Sequence, residues 1–515
     1  MIALTHHLLQ RSAARTPDKI ALVCQGKRVS YGELQSWSDR LARFLIERGF
    51  ARGDRLLVFA DNSVETVVAF WAASKAGGIA SIVHAQTKAD KLRYILQDSG
   101  ARAMVVGTAL GAVAREATLA GATLTTTVVG PDAPRATVDA LLGGVTWEDA
   151  MAVDRAPSPP RIVDLDVACL IYTSGTTGEP KGVMLTHRNL LTATTSISTY
   201  LENREDDVLL CMLPLAFGYG LTQLLTAASV GGRVILERSF AYPAQVLNLF
   251  GQEKVTGFAA IPTALGVIGE LKSLEAFDMS SLRYVTNAAA ALPPKHVRML
   301  RDRLPHVRIV SMYGQTECLR GTWLPHDEID RRPSSMGIPI PNTEAWIADD
   351  NGARVPPGTV GELVIRGSHV MKGYWNRPAE TQKKLRPGPH PGELVLHTGD
   401  LCSQDDEGFF HFVSRMDDII KCRGEKVSPK EVENAILDLD GVRECAVVGV
   451  PDDLLGEAVK AFCVLEQGAT VTERQIIQFA AQRLEGYMVP KVVEIVAELP
   501  RTMSGKITKV PLRNR

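Results

Sequence analysis

The sequence predicts an α/β protein, with a large N-terminal domain of two α/β layered sheets plus a small β-barrel-like part, followed by a small α+β C-terminal domain. Three observations carry that expectation. Short apolar runs alternate with stretches of helical period between Val29 and Thr286, the pattern of layered α/β sheets. Beyond Gln315 the texture changes to Gly/Pro turns separating short alternating strands. After Asp417 helix and strand alternate again over about 100 residues, enough for a separate domain. A chain of 515 residues also exceeds one ordinary core. The expected division is 1–416 and 417–515.

In order, 29–49 opens on Ser30 as an N-cap and sets Leu34, Trp37, Leu41, Phe44 and Leu45 on one face, a helix ended by Gly49. Strand 56–60, helix 64–76, strand 79–83, helix 89–99 and strand 103–106 follow. The longest apolar tract, 67–83, holds Ser74, Lys75 and two glycines, which makes it a buried helix and strand rather than a membrane span. From 110 to 144 the chain is rich in Ala, Thr and Gly with little pattern and belongs to the same domain. The stretch 154–160, with three prolines, is a connector. A second layer then has helices from 190, at 221–227, 239–253 and 264–271, with strands 208–212, 233–236, 257–260 and 283–286. Strands 343–347, 361–366 and 394–396 make the small β part. In the last domain 429–439 and 473–484 are helices, and 444–450, 459–465 and 491–495 are strands.

Composition excludes several functions. Hydrophobic residues are 45% and charged residues 22%, with Lys+Arg 57 against Asp+Glu 58, so no net field attracts nucleic acid or an acidic membrane surface. The eight cysteines are scattered without a C-x-x-C pair, which suggests neither a zinc site nor a disulfide framework and suits a reducing cytoplasm. Residues 1–19 carry His6, His7, Gln10 and Arg11 among their leucines, unlike a secretory signal.

The chemistry concentrates first in 172–182, YTSGTTGEPKG, between apolar runs 167–172 and 183–185. This is a strand-to-strand turn. Gly175, Gly178 and Gly182 let backbone N–H groups approach an anion; Thr173, Ser174, Thr176 and Thr177 add hydroxyls, and Lys181 adds a fixed charge. Gly182 follows Lys181, whereas the phosphate loop of kinases and GTPases needs Ser or Thr there. Read alone, the loop is either a phosphate cradle or a flexible surface turn. Tyr313-Gly314-Gln315-Thr316-Glu317 offers an aromatic face for a base, a glycine for close approach and a carboxylate suited to nucleotide-borne Mg²⁺. Thr398-Gly399-Asp400 places a carboxylate after a turn, where it could accept ribose hydroxyls. SRMDDIIK, 414–421, lies at the domain boundary, and RTMSGK, 501–506, places a lysine in a Gly/Ser loop.

With YTSGTTGEPKGV (172–183), YGQTE (313–317), TGD (398–400), SRMDDIIKCRGEKVSP (414–429) and SGKI (504–507) in this order, the chain resembles the adenylate-forming superfamily of acyl-CoA synthetases, luciferases and peptide-synthetase adenylation domains. The likeness runs nearly end to end. It implies that Thr173, Ser174, Gly175, Thr176, Thr177, Gly178 and Lys181 hold the β- and γ-phosphates of ATP. It also implies that Tyr313 stacks on adenine beside Ala288, that Thr316 contacts the α-phosphate and that Glu317 ligates Mg²⁺. Asp400 and Arg415 would bind ribose, and Lys506 would serve adenylation. Asp417 would be the hinge of a mobile C-terminal domain, and Gly424 would face the pantetheine tunnel. Phe217, Tyr219, Asn287, Ala289 and Gly314 would line the acyl pocket.

Two departures bear on the expectation. Ser414 stands where the family usually has Gly. In LPLAFGYG, 213–220, Phe217 stands where many relatives have His, and no nearby Asp could pair an α-ammonium, so the substrate is expected to be a simple carboxylic acid. The expected reaction converts acid, Mg·ATP and a thiol into thioester, AMP and pyrophosphate through an acyl-adenylate. The acceptor is CoA, or the phosphopantetheine of a carrier protein supplied in trans; a non-catalytic acyl- and nucleotide-binding protein is the remote alternative. No nucleic-acid partner is expected, and the oligomeric state, monomer or homodimer, stays open. Cys318, Cys422 and His187 are read as packing or local hydrogen-bonding residues, and the basic helix with Lys295, His296, Arg298, Arg301 and Arg303 as a solvated face.

Overall fold

The structure is a computed structural model describing residues 2–119, 123–153, 158, 160–174, 179–271, 273–288, 292–422, 425–452, 456–502, 505–513 and 515; of Ser174, Thr263, Glu270, Asp417, Lys421 and Lys426 only the backbone is described. It divides into two compact units. One comprises Met1–Glu344 with Ile365–Leu396, the other Ala345–Val364 with His397–Arg515.

In the first unit an eight-stranded sheet runs, in spatial order, Gly373–Tyr374, Pro180–Thr186, Val167–Ser174, Ile79–Val83, Arg55–Phe59, Ala103–Val106, Thr126–Val129 and Gly144–Thr146. The neighbours of Arg55–Phe59 are both parallel to it. Strands in such a sheet are covered on both faces, which is why 55–59, 79–83 and 103–106 read as continuous apolar runs. Leu57, Phe59, Leu92, Leu96, Met104 and Val106 form a core on one face, and Tyr94 and Tyr172 pack on its rim. Further elements arise in the weakly patterned stretch: helices Gly111–Thr118 and Arg135–Asp139 and strand Thr126–Val129, with strand Gly144–Thr146 starting at its end. Sheet pairing supplies what local periodicity did not show.

A nine-stranded sheet has the order Ile338–Pro339, Thr322–Leu324, Arg308–Tyr313, Tyr284–Asn287, Gly257–Ala260, Val208–Cys211, Arg233–Leu236, Ile20–Cys24 and Lys27–Ser30. Six of these strands, from Arg308–Tyr313 to Ile20–Cys24, are parallel. The hairpin 20–30 and strand Arg308–Tyr313 are additions to the sequence expectation. Helix starts follow local chemistry: capping boxes close the helices Tyr31–Glu47 (Ser30 with Glu33) and His187–Tyr200 (Thr186 with Asn189). Helix Val64–Lys75 is buried on every side, and its Lys75 is satisfied by Asp39 at 2.7 Å and Ser38 at 2.7 Å. No helix among the described residues is long and apolar enough to cross a membrane.

A five-stranded sheet joins Glu344–Ala348, Gly361–Arg366, Leu394–Gln404 and Leu385–Pro387, with Phe410–Arg415 paired to Leu394–Gln404. It answers to the small β part. The second unit contains another five-stranded sheet, in which Glu425–Val427, Ile420–Cys422, Gly456–Leu465 and Val442–Asp452 are neighbours and Val492–Ile495 adds to Gly456–Leu465. Helices Pro429–Leu437 and Glu473–Ala481 bury Val432, Ile436, Ile476 and Ala480 against Val447, Val459 and Ala461.

Candidate active site

The phosphate-loop expectation has its base in an antiparallel hairpin. Strands Val167–Ser174 and Pro180–Thr186 pair with Tyr172 opposite Gly182 and Thr173 opposite Lys181. Both Thr173 and Lys181 are partly exposed. Gly175, Thr176, Thr177 and Gly178 lie outside the described residues, as does the side chain of Ser174. Tyr172 anchors the hairpin, its hydroxyl donating to Asp98 at 2.7 Å; burial and the Asp98 carboxylate push that phenol well above its ordinary range. Gly182 sits where a Cβ would come within 3.1 Å of the Tyr172 ring, so a side chain there would displace the anchor.

The parallel strands of the nine-stranded sheet end together, and ligands of α/β sheets bind beyond such carboxyl ends. Strand Tyr284–Asn287 delivers buried Asn287 and then buried Ala288, while Ala289 lies outside the described residues. Strand Arg308–Tyr313 ends on half-buried Tyr313, whose hydroxyl accepts from Gln315 Nε2 at 3.2 Å. Gly314 is confined: a Cβ there would lie 2.6 Å from Leu319 O and 2.8 Å from Arg320 Cα. That packing holds the turn carrying Thr316 and Glu317, both half-buried.

Glu317 Oε1 accepts from the Tyr374 hydroxyl at 2.6 Å, and the Lys181 ammonium lies 5.7 Å from the centroid of the same ring. Among the described residues no hydrogen bond engages Oε2, and no group of three or more His, Cys, Asp or Glu could hold a metal by itself. One accessible carboxylate oxygen fits Mg²⁺ that arrives with nucleotide phosphates, an ion that keeps most of its shell from substrate and water.

Phe217 precedes helix Gly218–Val230 and stacks on His84 with centroids 5.7 Å apart. Tyr219 is buried, and its hydroxyl is engaged by Thr286 O and Oγ1, each at 2.8 Å. Arg320, 3% exposed, lies with its guanidinium 4.5 Å from the Tyr219 ring centroid; it donates to Leu319 O at 2.7 Å and forms no ion pair with a carboxylate among the described residues.

In the second unit Asp400 and Arg415 face each other across paired strands and form an ion pair of 3.0 Å, with Asp400 2% exposed. Here the structure corrects a local reading. Thr398-Gly399-Asp400 runs inside strand Leu394–Gln404 rather than following a turn; Gly399 takes φ +75° and donates its N–H to Glu362 at 2.8 Å, which kinks the strand without ending it. Ser414 is buried opposite Leu401, where its small side chain fits. Asp417 lies in the single turn Met416–Asp418 directly after Arg415. Lys506 is exposed beside the bridge Arg501↔Ile507, with Thr502 N donating to Lys506 O at 2.7 Å and Gly505 at φ +80°. Gly424 lies outside the described residues.

The remaining sequence readings resolve simply. All eight cysteines are free and buried. His187 accepts at Nδ1 from Thr5 N at 3.1 Å, and burial lowers its pKa to about 4, so it is a neutral packing residue. Arg301 and Arg303 pair with Asp330 and Glu275. Sequence reasoning missed Tyr374 and Asp98. The Gly373-Tyr374-Trp375 run, a glycine followed by two aromatics, was the available signal for Tyr374; Asp98, at the end of a helix, offered none.

The sequence matches the family described as AMP-binding enzyme over residues 9–375, and the AMP-binding enzyme C-terminal domain over 431–506. It is 35% identical over 508 residues to a feruloyl-CoA synthase of Amycolatopsis sp, covering 98% of this chain and 97% of that protein. It is 32% identical over 526 residues to a long-chain-fatty-acid–CoA ligase of Bacillus subtilis (strain 168), covering 98% and 92%. The ATP-bound crystal structure of MatB from Rhodopseudomonas palustris aligns with a TM-score of 0.88 at 30% identity, covering 99% of this chain and 98% of that one. The chain therefore belongs to the AMP-binding enzyme family and is an AMP-forming acyl-CoA synthetase.

Proposed function

We propose that this enzyme activates a carboxylic acid lacking an α-amino group and transfers it to CoA, with the residues named above in the roles the family likeness implies. The carrying observation is the meeting of Lys181 and Glu317 on one side chain, Tyr374, beside the ends of the parallel strands. A phosphate-binding cation and a metal-binding carboxylate are thereby held a side chain apart, as a nucleotide triphosphate requires. The carboxylate of the acid must attack an α-phosphate that is itself anionic. Lys181 and the hairpin hydroxyls bind the departing pyrophosphate, Thr316 contacts the α-phosphate, Tyr313 and Ala288 hold adenine, and Asp400 with Arg415 hold ribose. Lys506 neutralises charge on the two reactants as it shifts. Mg²⁺, held by Glu317, would add charge neutralisation on the phosphates.

The acid class follows from local charge. Arg320 is a buried cation against Tyr219, one of the residues assigned to the acyl pocket, and among the described residues it has no carboxylate partner. An ammonium there would meet like charge and an apolar Phe217, a costly burial. The boundary between catalytic domains is proposed at 416/417, with the C-terminal domain rotating about Asp417 so that thiol can follow adenylation, past Gly424. Eight free, buried cysteines suit a cytoplasmic enzyme.

Pyrophosphate release measured over aliphatic, aryl and α-amino acids, followed by thioester formation with CoA or with a phosphopantetheinylated carrier protein, tests this reading. Turnover with aliphatic or aryl acids and CoA is expected. Preference for an α-amino acid, or turnover only with the carrier, would overturn it. In Lys506→Ala, adenylation is expected to fall roughly 100- to 1000-fold, the scale of losing one preorganised charge contact, with far less effect on thioester formation from supplied acyl-adenylate. Equal loss of both half-reactions would contradict the role of Lys506.

A further inference from the structure

Residues 371–377 form a strap across three parts of the first unit. Met371 N donates to Glu317 O at 2.7 Å. Gly373 and Tyr374 then pair antiparallel with Met184 and Val183, adding a strand to the edge of the phosphate hairpin, and Trp375 N donates to Gly182 O at 2.8 Å. Gly373 has φ +141°, and a Cβ there would lie 2.8 Å from Thr381 Cγ2, so the strap requires glycine at this turn. Beyond it, Trp375 Nε1 donates to Asp98 O at 3.0 Å and Arg377 lies 3.5 Å from the Asp98 carboxylate, the same carboxylate that receives the Tyr172 hydroxyl. Tyr94, which binds Arg377 at 2.7 Å, also donates to Pro180 O at 3.1 Å. Both strands of the hairpin are thus tied to Asp98 through the strap and its neighbours.

Tyr374 stands at the centre of this strap. It is 6% exposed, its N–H donates to Thr381 Oγ1 at 2.9 Å, its hydroxyl holds Glu317 Oε1 at 2.6 Å, and its ring lies 5.7 Å from Lys181 Nζ. A free carboxylate rotates and presents either oxygen. One oxygen held by a buried, immobile hydroxyl leaves the other with a fixed direction, and groups that orient a metal ligand in this way matter nearly as much as the ligand. We propose that Tyr374 is a positioning residue: its hydroxyl orients Glu317 toward the metal of Mg·ATP while its ring sets the height of Lys181 above the hairpin. This rests on the reading of Glu317 as the metal ligand.

The two functions of the side chain separate by substitution. Tyr374→Phe keeps the ring beside Lys181 and removes only the hydroxyl; Tyr374→Leu removes both. Calorimetric titration of the full chain with ATP alone and with ATP plus Mg²⁺, alongside Mg²⁺ titration of pyrophosphate release, reads each function. For Tyr374→Phe, metal-free ATP affinity is expected to stay within about twofold of the parent. The Mg²⁺ concentration for half-maximal activity should rise roughly 10-fold or more. Tyr374→Leu should weaken metal-free ATP binding as well. Placed on Glu317→Gln, Tyr374→Phe should add nothing further.

An unchanged Mg²⁺ dependence in Tyr374→Phe, or equal weakening of metal-free and Mg·ATP binding, overturns the proposal, as does full additivity with Glu317→Gln. A lowered unfolding midpoint with unchanged Mg²⁺ dependence assigns Tyr374 to the scaffold and overturns it too. If Glu317→Gln itself leaves the Mg²⁺ requirement unchanged, the metal-ligand reading of Glu317 fails. A normal Glu317→Gln response beside a silent Tyr374→Phe sinks only the role of Tyr374.

Discussion

Gly314 illustrates how much single side chains are constrained around the turn that carries Thr316 and Glu317. Its backbone lies so close to Leu319 O and Arg320 Cα that a methyl group has no flexible neighbour to displace. Gly314→Ala should therefore cost about 1–3 kcal/mol of overpacking. It should also shift Tyr313 and Thr316, so a lower denaturation midpoint is expected together with a higher KM for ATP; a stable variant with unaltered KM would show that the turn can relax. The glycine was legible in the sequence as a point of close approach, but the surface it approaches is Leu319 and Arg320, backbone that folds back only in three dimensions. Asp400 shows the opposite balance. Its identity as a site residue came from the motif, while its burial and its 3.0 Å pairing with Arg415 come from strand register.

Among the elements, the hairpin 167–186 was predictable because each half carries its own strand signal and the glycines between them leave one economical connection. Of the strand Leu394–Gln404 only the start, 394–396, was legible. A Thr-Gly-Asp run reads locally as a turn, yet Glu362 accepts the Gly399 N–H and Leu363 O accepts the Thr398 hydroxyl at 2.7 Å, so the neighbouring strand satisfies the kink and the ladder continues. The turn Met416–Asp418 is the element on which the proposed domain motion depends. Proline at 417 would fix φ there and restrict the residue before it. Asp417→Pro should retain adenylation, measured as pyrophosphate release, and lose thioester formation from bound acyl-adenylate. Normal thioester formation would remove Asp417 as the pivot.

At the scale of the whole molecule, buried histidines couple stability to pH. Burial lowers His187 from 6.5 to about 4, with the neighbouring His7 adding to the shift and Asp166 opposing it. The native state thus keeps this ring neutral while the unfolded chain protonates it near 6.5. The unfolded state binds more protons throughout that window, so the contribution of His187 is full above pH 6.5 and shrinks as pH falls toward 4, by about 1.4 kcal/mol per pH unit. His187→Gln keeps an acceptor for Thr5 and cannot titrate. Denaturant unfolding at pH 7, 6 and 5 should show a shallower acid loss in the variant by roughly that slope; parallel losses would mean that His187 titrates normally.

What the sequence determined by itself was the alternation of elements, the helix cap at Ser30, and the motifs that name the chemistry, because caps, turns and hydrophobic period act within a few residues. What only the tertiary structure decided was adjacency. Strand 20–24 pairs with 233–236, and 373–374 with 183–184, pairings that bring together residues far apart in the chain. Neither could be read locally, since short strands carry no label for their partner, and the partner is chosen by which edge remains to be hydrogen-bonded and which face remains to be buried. The side chains proposed to bind acid and metal were thus visible one at a time in the sequence, while Tyr374, which contacts both Glu317 and Lys181, meets them only when the edge of the hairpin 167–186 recruits its strand.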